Sequence, residues 1–177
     1  AMLFGLVGSE MCIRDRLSSG VVNIFSTNRA AAALKSDGSV VTWGEKIYGG
    51  DSSSVISQIS SDVISISTTG YAFAALKSDG SVVTWGENER GGDSSLVSDD
   101  LSSGVQKIYG GGDVFAALKD DGSVISWGDY EPISGSGSVT TSWESVKDQL
   151  SNGVVDVVHN GQSDAWAALK SDGSVVT

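Results

Sequence analysis

An all-β fold of the β-propeller type, present as an incomplete arc of about three and a half repeats of about 42 residues, is predicted by three observations. The segment Tyr71 to Gly86, YAFAALKSDGSVVTWG, recurs in close copies that end at Gly44, Gly128 and Thr177. Leu34, Leu76 and Leu118 are spaced by 42 residues, and Trp43, Trp85 and Trp127 keep the same register. Each copy sets small apolar residues on one side of an Asp-Gly pair and β-branched residues on the other. That is the pattern of a β-hairpin, not of the helical units of ankyrin or tetratricopeptide arrays.

Taken in chain order, Leu6 to Arg16, LVGSEMCIRDR, share nothing with the repeats and hold Cys12, the only cysteine, and two of the four arginines. This string resembles the translation of a transposase-type sequencing adapter, with Arg16 at the junction. A secretory leader would carry its basic residues ahead of the apolar run, and here they follow it. Residues 1–16 are therefore read as a non-native segment, and the repeats as 17–58, 59–100, 101–149 and 150–177, the last truncated before its Trp-Gly.

Each unit opens with a β-branched strand: Val21–Phe25, Val63–Ile66, Val105–Tyr109 and Val154–Val158. The hairpin follows. If Asp79 and Gly80 form a two-residue turn, Leu76 faces Val83, Ala74 faces Trp85 and Lys77 faces Val82. Neither face of such a hairpin is polar, so stacked neighbours must cover both. Between hairpins, Val55, Ile56 and Ile59, like Leu96, Val97 and Leu101, have the spacing of a short helix. In the third link Thr141 to Glu144 form a capping box ahead of Trp143, Val146 and Leu150, with Asn152-Gly153 as the stop.

The formal net charge is −11, with 23 glycines, one proline and a mean hydropathy of +0.02. No basic stripe exists to release counterions from a nucleic-acid backbone, and no apolar run is long enough to span a bilayer. His159 is the only histidine and no serine sits in a Gly-x-Ser-x-Gly elbow, so neither a nucleophile triad nor a zinc site is read around it, and it is expected in a surface loop. Asp51, Asp93 and Asp113 each follow Gly-Gly. Their spacing is not the nine-residue period of a calcium array, so they are read as turn residues. No enzyme activity, metal or cofactor is expected.

The run Ala33-Leu34, Asp37-Gly38, Val40, Trp43-Gly44 and Gly49-Gly50, with its equivalents in later units, resembles the RCC1-type repeat, which is shared with the β-lactamase-inhibitor-protein-II propellers. It departs from that pattern at Ala31, Phe73, Phe115 and Trp166, near where the family often has histidine, and in having Gly-Gly-Asp-Ser for Gly-Gln-Leu-Gly. The resemblance implies an RCC1-like ring of about seven blades, of which this is about half. It also implies a non-catalytic protein-interaction or adhesive module, and the near-identity of the repeats is similar to arrays in large bacterial surface or secreted proteins. The alternative it implies is a specific regulator, of the guanine-nucleotide exchange factor or enzyme-inhibitor kind. The expected partner is a protein, with neither nucleic acid nor membrane insertion, and the open blade faces are expected to self-associate. Glu45, Tyr48, Glu87, Tyr109, Asp129 and Tyr130 are the expected contact rim, because the acidic residues follow each Trp-Gly and the tyrosines lie close by.

Overall fold

The computed structural model describes residue 13 and residues 15–128, 146–159 and 165–177. Among these, twelve strands form four three-stranded antiparallel sheets, each made of strands consecutive in sequence. The first holds β1 (Val21–Ser26), β2 (Ala30–Lys35) and β3 (Val40–Gly44), and the second β4 (Val63–Thr68), β5 (Ala72–Lys77) and β6 (Val82–Gly86). The third holds β7 (Val105–Gly110), β8 (Val114–Lys119) and β9 (Val124–Gly128), and the fourth β10 (Val154–His159), β11 (Trp166–Lys170) and β12 (Val175–Val176). The four β-branched runs are thus the first strand of each sheet. One extra residue bulges each of these strands, at the step Val21/Asn23 and its equivalents Val63/Ser65, Val105/Lys107 and Val154/Asp156.

The hairpin register differs by one residue from the two-residue-turn expectation. Phe73 pairs with Trp85, Ala74 with Thr84, Ala75 with Val83 and Leu76 with Val82. The loop has three residues, Ser78-Asp79-Gly80: Lys77 N–H donates to the Ser81 carbonyl at 2.9 Å and Gly80 N–H to the Lys77 carbonyl at 3.0 Å. Gly80 takes φ +79, the turn-plus-bulge geometry of longer hairpins. Asp79 closes the loop by accepting Ser81 N–H at 2.9 Å and the Ser81 hydroxyl at 2.6 Å. The shift moves Phe73, Ala75, Val83 and Trp85 onto one face and Ala72, Ala74 and Leu76 onto the other.

Both faces are covered, as a stack of blades requires. Ala30, Ala32, Leu34 and Val40 of the first sheet pack against Val63, Ile66, Phe73, Ala75, Val83 and Trp85 of the second. The same arrangement recurs between second and third sheets, and between third and fourth. We call the side bearing Leu34, Leu76 or Leu118 the leading face and the side bearing Trp85 or Trp127 the rear face. Phe73 and Phe115 are fully buried, each stacked on its cross-strand tryptophan with centroids 5.2 Å apart. Burying each such ring contributes about 1.5–3 kcal/mol. Across each junction the indole N–H completes a hydrogen bond, Trp85 to the Gly49 carbonyl at 3.1 Å and Trp127 to the Gly91 carbonyl at 3.2 Å.

The links contain no α-helix where the apolar spacing suggested one. Residues 53–58 are turns and Ser95–Val97 a single 3-10 turn. Ile59 and Leu101 are buried as the spacing implied, but Ile56 is exposed and Leu96 is 94 % exposed. A serine-rich link with one buried anchor cannot sustain the apolar stripe that holds a helix. The capping box at Thr141 to Glu144, and Trp143, lie outside the described residues; beyond them Lys147–Leu150 is a 3-10 turn with Leu150 buried, and Gly153 takes φ +73. No helix among the described residues is long and apolar enough to cross a membrane.

Candidate functional site

The blades meet at one end through a layer of loops whose backbone is tied together. Asn28 N–H donates to the Gly70 carbonyl and Gly70 N–H to the Gly112 carbonyl, both at 3.0 Å, so the loop after each first strand leans on the next. Thr27 and Thr69 then fasten the 3-10 turns, their hydroxyls donating to the carbonyls of Tyr48 at 3.0 Å and Arg90 at 3.1 Å. The turns themselves, Lys46–Tyr48 and Asn88–Arg90, begin at Glu45 and Glu87, each of which accepts two backbone N–H groups. The glycine that ends the first turn, Gly49, has φ +90, and a Cβ there would stand 2.6 Å from the Phe73 ring. Only glycine lets the turn close against the next blade.

On this scaffold a continuous strip of alternating side chains crosses three blades. The Arg29 guanidinium lies 5.3 Å from the Tyr48 ring, Tyr48 stacks on Tyr71 at 5.2 Å, and Arg90 lies 4.2 Å over Tyr71. The strip is closed at its ends by ion pairs, Arg29 with Glu45 at 3.1 Å and Arg90 with Asp113. Arg29, Tyr71 and Asp113 occupy one repeat position, and Tyr48 and Arg90 another. Exposed cation–π contacts of this kind contribute about 0.5–1 kcal/mol each. Their larger consequence is to hold two arginines and two tyrosines in fixed orientation at the surface, with little rotamer entropy left to lose on contact.

Of the six rim residues expected from sequence, the structure brings Glu45 and Tyr48 together through Arg29, and places Glu87 at the equivalent turn of the next blade. Tyr109 is elsewhere, on the first strand of the third blade. Its hydroxyl donates to Asp156 at 2.6 Å and accepts Val157 N–H at 3.2 Å, with Lys107 4.4 Å over its ring and 3.2 Å from Asp156. Burial, with the bond to Asp156, raises the Tyr109 hydroxyl above its ordinary value, while the Tyr109 bond and then Lys107 hold Asp156 below its own. This cluster staples the third blade to the fourth. Asp129 and Tyr130 lie outside the described residues.

Asp51 and Asp93 accept the N–H of Ser53 at 3.0 Å and of Ser95 at 2.8 Å, as turn residues should. Asp113 instead pairs with Arg90, which the turn reading missed. Among the described residues no three of His, Cys, Asp and Glu stand close enough to hold a metal ion. His159 is not in a loop: it ends β10, with its ring 4.5 Å from Trp166 and close to Gly111. Arg29, Tyr71 and Arg90 were not singled out in the sequence, and Asp113 was read only as a turn residue. They become visible only when the repeats are overlaid, as the positions where near-identical units differ.

Comparisons with known proteins agree with this architecture. Residues 63–91 match the family model of the regulator of chromosome condensation (RCC1) repeat. No curated protein matches the chain in sequence. Among solved structures, Prp20p from Saccharomyces cerevisiae is similar at 19 % identity and TM-score 0.56, over 92 % of this chain and 44 % of that one. The ectodomain of the Arabidopsis thaliana receptor kinase ACR4 is similar at 19 % identity and TM-score 0.50, over 85 % and 46 %. Human WBSCR16 is similar at 19 % identity and TM-score 0.50, over 88 % and 46 %. The chain thus spans less than half the length of each. The family-model match falls inside a segment that is repeated along the chain, and the fold is an arc of β-propeller blades similar to those of Prp20p.

Proposed function

We propose that the chain is a non-catalytic protein-interaction module whose rim, centred on Tyr48 and Tyr71 and flanked by Glu45 and Glu87, takes a basic protein surface. The observation that carries the reading is the strip Arg29–Tyr48–Tyr71–Arg90–Asp113, a pre-ordered aromatic surface on an otherwise repetitive scaffold. A formal net charge of −11 supports a cationic partner by steering it electrostatically. RCC1-like repeats generally serve as interaction modules, and the solved Prp20p structure is described with its binding to Gsp1p and histones. The near-identity of the units supports an adhesive role within a larger bacterial surface or secreted protein. The regulator reading, of the exchange-factor or enzyme-inhibitor kind, is favoured by Arg29, Tyr71 and Asp113, which individualise single blades at one repeat position.

The test uses core histones as the basic probe. Glu45→Lys with Glu87→Lys should weaken binding at least tenfold, whereas reversing the exposed Asp99 and Asp100 in the link, with the same change of net charge, should weaken it much less. Equal losses from the two pairs would reduce the interaction to bulk charge and remove the rim from the account. Tyr71→Ala separates the aromatic contribution, since it leaves the net charge untouched.

A further inference from the structure

Consecutive blades leave a groove between the link of one and the last strand of the next, and two copies of it differ in charge. The first, of 380 Å³, runs between the link after β3 and residues 84–86 of β6; the second, of 540 Å³, runs between the link after β6 and residues 126–128 of β9. In the first groove the link brings its own cation: the Lys46 ammonium stands 3.2 Å from Asp51 Oδ2, with Ile47 beside it in the chain. One repeat later, Asn88 takes the place of Lys46, Glu89 that of Ile47 and Leu96 that of Ser54. The aspartate is kept. Asp93 Oδ1 accepts Ser95 N–H at 2.8 Å as Asp51 Oδ1 accepts Ser53 N–H, but among the described residues no cation pairs with Asp93 or Glu89. Leu96 is 94 % exposed, more than any other large apolar residue described, and Val97 and Trp127 also line the groove. Both walls belong to blades inside the arc.

We propose that the second groove takes a lysine side chain of a partner protein, its ammonium on Asp93 and Glu89 and its aliphatic stem along Leu96 and Val97. The argument is that the molecule makes the polar half of this contact within itself one blade earlier, where Lys46 meets Asp51. The aspartate and the serine that steadies it recur; the lysine does not. Lysine has the matching shape, because its stem lies along apolar surface while its head stays with the carboxylates. Charge points the same way. Lys46 and Ile47 give the first groove one positive charge, and Asn88 and Glu89 give the second one negative charge in their place, on a chain whose net charge is −11. Leu96 contributes nothing to this chain's own core, and covering it with the stem removes apolar surface from water. The site deepens the basic-partner reading above and rests on it, but it uses different side chains from the rim, so the two can fail separately.

The probe is the peptide acetyl-Gly-Leu-Lys-Leu-Gly-amide, titrated into the full 177-residue chain with the Trp127 indole and the Asp93 and Leu96 amides as nuclear magnetic resonance reporters. These signals should shift saturably while the amides of Tyr48 and Tyr71 stay in place. The same peptide with norleucine for lysine keeps the stem without the ammonium and should bind about fivefold more weakly. Asn88→Lys reinstates the internal pair of the first groove and should weaken the lysine peptide by about the same factor, whereas Gln58→Lys, with the same change of net charge on the first link, should leave it nearly unchanged. Lys46 shows that the turn accepts lysine at this position; if circular dichroism nevertheless finds Asn88→Lys unfolded, Asp93→Asn carries the same comparison. The rim pair Glu45→Lys with Glu87→Lys should leave the peptide titration in place, so a failure of the rim to bind histones strikes the rim alone. Shifts confined to Tyr48 and Tyr71 would overturn the groove and leave the rim standing. The absence of any saturable shift, equal affinity for the norleucine peptide, or undiminished binding to Asn88→Lys would each overturn the groove as well.

Discussion

Replacing Gly80 by alanine separates two costs that the repeat geometry superimposes. The left-handed conformation at φ +79 costs an L-residue about 1–2 kcal/mol. At Gly80 the added Cβ would also stand 2.8 Å from the Gly104 nitrogen and 3.3 Å from the Val105 nitrogen, against the start of the next blade. Those atoms cannot step aside cheaply, because Val105 N–H is held on the Gly80 carbonyl at 3.0 Å. Crowding of that kind adds about 1–3 kcal/mol, so the whole substitution should cost about 2–5 kcal/mol. Gly173, at the same hairpin position of the last blade, has φ +85 and nothing within 4 Å of its Cβ site. Gly173→Ala should therefore pay only the conformational cost, about 1–2 kcal/mol. Urea unfolding followed by tryptophan emission measures both. Equal midpoints for the two variants would refute the claim that the hairpin turn is a blade-to-blade contact.

Asp62 is the one non-glycine among the described residues with positive φ, +65, at the position that Gly20, Gly104 and Gly153 hold in the other repeats. Asp62→Gly should stabilise the chain by about 0.5–1 kcal/mol in the same unfolding assay, and a loss of stability would show that Asp62 serves another purpose. Trp85→Phe leaves the buried Gly49 carbonyl without its 3.1 Å donor and should cost about 1–3 kcal/mol, whereas Trp43→Phe should cost clearly less; parity would contradict the junction geometry. Asp37, Asp79, Asp121 and Asp172 are held below the ordinary aspartate value of 3.8, first by the hydroxyl of the serine two residues on, and Asp51 lies at about 2, first through Ser53 N–H. Carboxylates depressed in this way favour the folded state above pH 3.8 and lose that contribution as pH falls through their folded values, so the melting temperature should drop between about pH 4 and pH 2. A melting temperature unchanged down to about pH 2 would contradict it.

The blade was legible in the sequence because its signals are local and repeated. Trp43, Trp85 and Trp127 mark one strand in each of the first three units, and Val63–Ile66 and its equivalents mark another in all four. What the sequence hid was of two kinds. The hairpin register turned on whether Ser78 belonged to strand or loop; the deciding interactions, Asp79 with Ser81 and Gly80 with Gly104, are respectively a side-chain closure and a contact with a different blade. A one-residue choice there moves Phe73 from one face to the other. The rim strip was hidden because its members stand about 20 residues apart, and only the stacking of blades brings Arg29 to Tyr48 and Arg90 to Tyr71. Near-identical repeats draw attention to what recurs, while Arg29, Tyr71 and Asp113 lie where the units differ. The helical reading of the links failed for a simpler reason. Three apolar residues at the right spacing say which side is buried, but Ile59 and Leu101 need only a turn to reach the core.

The central claim is that tryptophans at a fixed repeat position are buried by the preceding blade, and hydrogen exchange at their indole N–H groups tests it most directly. Trp85 and Trp127 are 3 % and 6 % exposed and bonded to Gly49 and Gly91, so their indole protons should exchange only through opening of the blade junction. Trp43 is partly exposed and should exchange much faster. Two slow indoles and one fast would establish the stacked arc in solution; three indoles exchanging alike would contradict it.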